Sequence, residues 1–186
     1  MIFLPQTIPD ILLIEPVIHN DERGYFVETY KQKLLDEALG YRVNFIQDNE
    51  SKSTSKGVLR GLHFQSPPFT QNKLVRVIQG EVLDIAVDIR RNSPTFGKHI
   101  SVELSQKNKK QLFVPIGFAH GFIVLSEEAI FAYKVDAYYS AEHEAGIAYD
   151  DKDINIDWHF LDEEIILSKA DQNYPNLADM KNYFDF

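Results

Sequence analysis

The stretch KLVRVIQGEVLDIAVDIR, residues 73–90, alternates with a period of two. Leu83, Ile85, Val87 and Ile89 fall on one face of an extended chain, and Val82, Asp84, Ala86 and Asp88 on the other. Gly80 sits between the two halves, where a residue free to take positive φ suits a tight hairpin, so the stretch reads as strand, turn, strand. The alternation continues through HISVELS (99–105), KQLFVP (110–115), GFIVLS (121–126) and AIFAYKVDAYY (129–139). Short strands recurring about every ten residues predict a β-sandwich or barrel. Helical periodicity is confined to YKQKLLDEALG (30–40), which ends on Gly40, and to NLADMKNYF (176–184). The expected architecture is mainly β, a jelly-roll barrel with a few short peripheral helices, in one domain spanning residues 1–186.

A chain of 186 residues with 44% hydrophobic content can bury one sizeable core. Its 28 acidic residues outnumber 19 basic ones for a net charge of -9, which disfavours nucleic acid and anionic membrane as partners. A small phosphorylated ligand stays compatible, because a few arginines and lysines in a pocket outweigh the global charge locally. With no cysteine there are no disulfides or thiolate metal sites, and the cytoplasm is the expected location. The opening MIFLPQTIPDILLIEP is apolar but is broken by Pro5, Pro9 and Pro16 and has no basic start, so it reads as an edge strand rather than a signal peptide. No apolar run reaches the roughly 20 residues that span a bilayer.

Polar residues interrupt the pattern at particular places. In NFIQDNE (44–50), Phe45, Gln47 and Asn49 share a face, either the wet side of an edge strand or the polar wall of a cavity. In GVLRGLHFQ (57–65), a regular strand would send Arg60 and His63 to opposite faces; they share one pocket only if the chain bulges, and Gly61 between them permits that. VPIGFAHGF (114–122) delivers His120 to the start of a strand, and FAYKVDAYY (131–139) carries Tyr133, Tyr138 and Tyr139. Each of these has an ordinary structural reading as well. A strand histidine can be a plain hydrogen-bonder, a strand tyrosine plain packing, and Lys73 and Arg76 solvated edge charges.

Taken together, ERGYFVETY (22–30), FIQDNESKS (45–53), GVLRGLHFQ, QNKLVRVIQGEVLDIAVDIRRNSPTFGK (71–98), QLFVPIGFAHGF (111–122), FAYKVDAYYS (131–140) and LSKAD (167–171) resemble the dTDP-4-dehydrorhamnose 3,5-epimerases. The segments keep that family's order from about residue 5 to about residue 175. The resemblance implies a cupin fold and an isomerase that inverts C3 and C5 of dTDP-4-dehydro-6-deoxy-D-glucose through an enolate, on the way to dTDP-L-rhamnose and surface polysaccharides such as lipopolysaccharide O-antigen. It implies His63 as base, Asp171 as the carboxylate that orients it, Tyr133 as acid and Lys73 facing the C4 oxygen. It further implies substrate contacts from Arg23, Glu28, Gln47, Asn49, Arg60, Lys73, His120, Tyr139 and Glu144, with Arg23 and Arg60 on the diphosphate and Tyr139 stacked on thymine. A homodimer with exchanged N-terminal strands, bringing Arg23 and Glu28 to the neighbouring site, is implied too.

Two departures matter. Metal-binding cupins carry more histidines in the first motif, where this chain has His63-Phe64-Gln65, so neither metal nor other cofactor is expected. The family's lysine immediately before the aspartate is Ala170 here, with Lys169 one position earlier. The rival readings are a 3-monoepimerase or 3,4-ketoisomerase on the same substrate, then a noncatalytic sugar-nucleotide binder or a metal cupin.

Overall fold

The computed structural model describes residues 1–186, the side chain of Asp162 excepted. In chain order the strands are β1 (Ile2–Pro5), β2 (Leu12–Glu15), β3 (Ile18–Asp21), β4 (Gly24–Val27), β5 (Gln47–Ser53), β6 (Leu59–Gln65) and β7 (Lys73–Gln79). They continue as β8 (Glu81–Asp88), β9 (His99–Ser105), β10 (Gln111–Val114), β11 (Phe118–Val124), β12 (Ala129–Val135) and β13 (Glu144–Gly146). A six-stranded sheet runs β1-β2-β10-β7-β12-β5 and a five-stranded sheet β13-β6-β11-β8-β9, with β3 and β4 forming a separate ribbon. The two large sheets form a jelly roll of the cupin type, mainly β as the alternation predicts.

The turn at Gly80 is not a hairpin. β7 pairs with β10 and β12 in one sheet, whereas β8 pairs with β11 and β9 in the other, so the chain crosses between sheets there. Alternation tells which residues share a face, but not which strand supplies the hydrogen-bond partner. Gly80 does take positive φ, +79°, and a side chain at this position would run into the Glu128 carbonyl and the Ser126 hydroxyl.

The crossing explains why β8 is buried on both faces. Val82 and Ala86 point between the sheets, among Val75, Leu112, Phe122 and Phe131. Phe122 and Phe131 stack there at 4.1 Å between ring centroids. Leu83, Ile85 and Val87 point outward under a C-terminal cover built from Trp158, Leu177, Met180 and Phe184. A third cluster, with Leu35, Leu74 and Phe113, sits beneath helix α1 (Gln32–Leu39). Truncating a fully buried ring such as Phe131 to alanine costs about 3–5 kcal/mol in a core of this kind.

Helix α1 follows its sequence pattern and ends at Gly40, whose φ of +76° lets its N–H donate to the Asp36 carbonyl. The helix expected within residues 176–184 is instead a single turn, in which the N–H groups of Asp179 and Met180 both donate to the Asn176 carbonyl. The apolar spacing of Leu177, Met180 and Phe184 serves to cover the outer sheet face, and tertiary burial overrides the helical period. β1 pairs with β2 alone, at the sheet edge, as the broken apolar N-terminus predicts.

Candidate active site

The bulge foreseen at Gly61 is present. His120 of β11 lies opposite His63, and Phe122 opposite Arg60, so three steps along β6 match two along β11. Gly61 has φ +130°, and an added Cβ would strike the backbone of Gly121 and His120. The extra residue turns Arg60 and His63 to the same side, where both line a cavity of about 270 Å³ between the sheets. Lys73 of β7 and Tyr133 of β12 face them from the six-stranded sheet, and His120 and Glu144 also line the space. Asp171 reaches it from the C-terminal segment, so seven of the residues singled out in the sequence meet in one cavity.

His63 and Asp171 form a hydrogen-bonded pair through Nε2 and Oδ1 although they lie 108 residues apart. Asp171 is buried at 4% exposure, and its second oxygen accepts from the Ser168 hydroxyl at 2.7 Å. Ser168 in turn accepts from the Asp171 N–H at 3.1 Å, which fixes the carboxylate on its loop. Burial alone would raise this carboxyl group's pKa, but the hydrogen bonds from His63 and Ser168 outweigh it and hold Asp171 below its usual value. The Tyr174 ring packs edge-on against the His63 imidazole at 5.6 Å, and burial, reinforced by Glu144 and Asp171, pushes its phenol up to about 12.

Lys73 makes no side-chain hydrogen bond or ion pair with any described residue, so its ammonium group is available to a ligand. Burial lowers its pKa to about 8 against the opposing pull of Asp84 and Glu144. Burial, then Glu144, raises the Tyr133 phenol above its ordinary value, which keeps its proton in place near neutrality. Arg60 is tethered to the edge strand β5 by bonds to the Ser53 hydroxyl (3.2 Å) and the Lys52 carbonyl (3.3 Å).

Gln47, Asn49 and Tyr139 do not line the cavity but are bonded to one another and, through Tyr139, to Glu144, which does. The Gln47 amide donates to Asn49 Oδ1 at 2.8 Å and accepts from the Tyr139 N–H at 3.2 Å, while the Tyr139 hydroxyl donates to Glu144 at 2.6 Å. That hydrogen bond raises the Tyr139 phenol pKa, and the ring itself stays 53% exposed. β5 is the edge strand of its sheet, and it is Glu50 and Ser51, not Gln47 and Asn49, that wall the cavity.

Arg23 and Glu28 are not in the cavity of their own chain. Arg23 sits at the tip of the β3–β4 ribbon, paired with Asp21 at 2.5 Å, and Glu28 pairs with Lys31 at 3.2 Å. Ala170 lines the cavity and Lys169 does not.

The sequence reading missed three residues of the site: Asp84, Ser168 and Tyr174. Asp84 is wholly buried and accepts from His120 Nε2 with both oxygens at 3.0 Å. Its signal was available, as an aspartate flanked on its face by Val82 and Ala86. The two imidazoles of the cavity thus each spend Nε2 on a carboxylate.

A cupin-type jelly roll whose cavity joins a carboxylate-held imidazole, a protonated phenol and an unpaired ammonium group is the layout of an isomerase that moves protons. The profile of the dTDP-4-dehydrorhamnose 3,5-epimerase family matches residues 5–179, and the chain belongs to that family. It is 54% identical to the dTDP-4-dehydrorhamnose 3,5-epimerase of Shigella flexneri over 95% of this chain and 96% of that one. The crystal structure of the Elizabethkingia anophelis NUHP1 enzyme of that name superposes with a TM-score of 0.93 at 50% identity, covering 98% of this chain and 99% of that one. A dTDP-6-deoxy-D-glucose-3,5-epimerase from Legionella pneumophila, solved with dTDP-4-keto-L-rhamnose, superposes with a TM-score of 0.91 at 49% identity, covering 96% and 94%.

Proposed function

We propose that the chain inverts C3 and C5 of dTDP-4-dehydro-6-deoxy-D-glucose to give dTDP-4-dehydro-L-rhamnose, a step toward dTDP-L-rhamnose. The observation that carries this reading is the pairing of His63 with Asp171 in a cavity that Tyr133 enters from the opposite sheet. The C4 ketone acidifies the hydrogens on C3 and C5. His63 Nδ1, the ring nitrogen that Asp171 leaves free, takes one of these protons, and the electron pair moves onto the C4 oxygen as an enolate. The bond from Asp171 fixes the imidazole and stabilises the imidazolium that forms. Lys73 balances the oxyanion, where a fixed cation in a dry cavity is worth far more than in water. Tyr133 returns a proton to the opposite face of the same carbon, His63 releases its proton to solvent while the phenolate recovers one from it, and the cycle repeats at the second carbon.

Arg60 suits the diphosphate and the exposed Tyr139 ring suits the thymine face. The working unit in this reading is a homodimer of single-domain chains, 1–186, in the cytoplasm. Exchange of N-terminal strands would carry Arg23 and Glu28 into the partner's cavity. The apolar exposure of Tyr25 (56%) and Phe26 (66%) on the ribbon supports such burial.

The test is proton NMR of the substrate incubated with the protein in deuterated water, coupled to the reductase that forms dTDP-L-rhamnose. Deuterium at C3 and C5 with appearance of the L-rhamnose nucleotide is expected. Incorporation at C3 alone would replace the reading with a 3-monoepimerase, and none at either carbon would remove the enzyme reading.

A further inference from the structure

The proton chemistry above leaves one fully buried carboxylate unused. Asp84 lies on β8 with 0% exposure, its two oxygens equidistant from His120 Nε2, and it is not among the residues that line the cavity. An isolated carboxylate there would be costly, and burial does raise the Asp84 pKa, with His120 and then Lys73 pulling the other way. His120 is itself 7% exposed, lines the cavity, and has no protein partner for Nδ1 among the described residues.

This arrangement has one chemical consequence. With its Nε2 proton committed to Asp84, the imidazole cannot rotate and offers only Nδ1 to a ligand. Held by the Asp84 carboxylate as an imidazolium, the ring carries Nδ1–H as well as Nε2–H, and Nδ1–H is the donor to the charge that grows on a bound ketone oxygen beside Lys73.

We propose that Asp84 is a positioning residue for the oxyanion end of the site: it holds His120 so that Nδ1 shares the C4 oxyanion with Lys73. The proposal rests on the epimerase reading. It assigns the two histidine–carboxylate pairs opposite tasks, proton removal for His63–Asp171 and charge stabilisation for His120–Asp84.

The experiment compares wild-type enzyme with Asp84→Ala and Asp84→Asn, using dTDP-4-dehydro-6-deoxy-D-glucose as substrate. It also records two-bond ¹H–¹⁵N spectra of histidine-labelled protein with dTDP bound. In the wild type, His120 should show the pattern protonated on both ring nitrogens. Asp84→Ala should lose that pattern, leave the His63 signals in place and lower kcat about 100-fold with KM changed less than about threefold. Asp84→Asn keeps an acceptor but not the charge, so it should hold the ring in place as the neutral tautomer protonated on Nε2 and lose about tenfold in kcat. If the alanine variant does not fold, the asparagine variant decides the matter. A kcat within about twofold of wild type in Asp84→Asn, or a His120 protonation pattern in Asp84→Ala that matches wild type, would overturn the proposal while leaving the epimerase reading intact. Absence of exchange in the wild type would overturn that reading and this role with it.

Discussion

Two histidine–carboxylate pairs meet the same cavity and differ in almost every respect but chemistry. His63 keeps 30% of its side chain exposed, and its partner Asp171 comes from a loop 108 residues away that Ser168 steadies. His120 and Asp84 are 7% and 0% exposed, and both stand on adjacent strands of one sheet. A base must meet substrate, release a proton and recover, which suits the accessible pair. A fixed electrostatic element gains from burial and from rigid strands, which suits the other. Similar residues thus acquire different tasks from where the fold puts them.

The comparison breaks most sharply at the carboxylates. Asp171→Asn should lower kcat about 10³-fold with dTDP affinity preserved, because the amide no longer holds His63 in its working tautomer. Steady-state kinetics beside Asp84→Asn would reverse the assignment of the pairs if the buried aspartate proved the costlier loss. Tyr133→Phe should lower formation of the inverted product by about 10²-fold. It should leave deuterium uptake less affected, since His63 can still take a proton and return it to the same face. Equal loss of exchange and inversion in an NMR time course would remove Tyr133 from the acid role.

A smaller effect concerns pH. Lys73 is charged below its lowered pKa of about 8 and neutral above it, so the oxyanion loses its cation as pH rises through that value. The kcat profile should therefore fall on its alkaline side from about pH 8, by about tenfold per unit. A fall beginning only above 10, the ordinary phenol value from which Tyr133 is raised, would assign the limb to that tyrosine instead. The least effect on chemistry is expected outside the cavity lining. Tyr139→Ala should weaken dTDP binding about tenfold by calorimetry with kcat nearly unchanged, as loss of one stacked base predicts.

What the sequence revealed follows from what periodicity encodes. The bulge was legible because Arg60 and His63 lie an odd number of positions apart with glycine between them. Strand positions and faces were legible for β8 to β12, but the crossing at Gly80 was not, since hydrogen-bond partners come from distant segments. The turn at residues 176–180 imitates a helix because its apolar spacing answers to the sheet it covers. Tyr174 and Ser168 were missed because nothing local ties them to His63. Only the return of the C-terminal segment over β6 brings them there. Asp84 was visible as an aspartate between Val82 and Ala86 on its face, yet its meaning needed His120 beside it.

The most direct test of the central claim is deuterium incorporation at C3 and C5 of the substrate by His63→Asn and His120→Asn, measured side by side with dTDP affinity. The account predicts that His63→Asn exchanges neither carbon while binding dTDP normally, and that His120→Asn still exchanges both, more slowly. Exchange retained in His63→Asn and abolished in His120→Asn would show that the buried pair, not the accessible one, removes the proton.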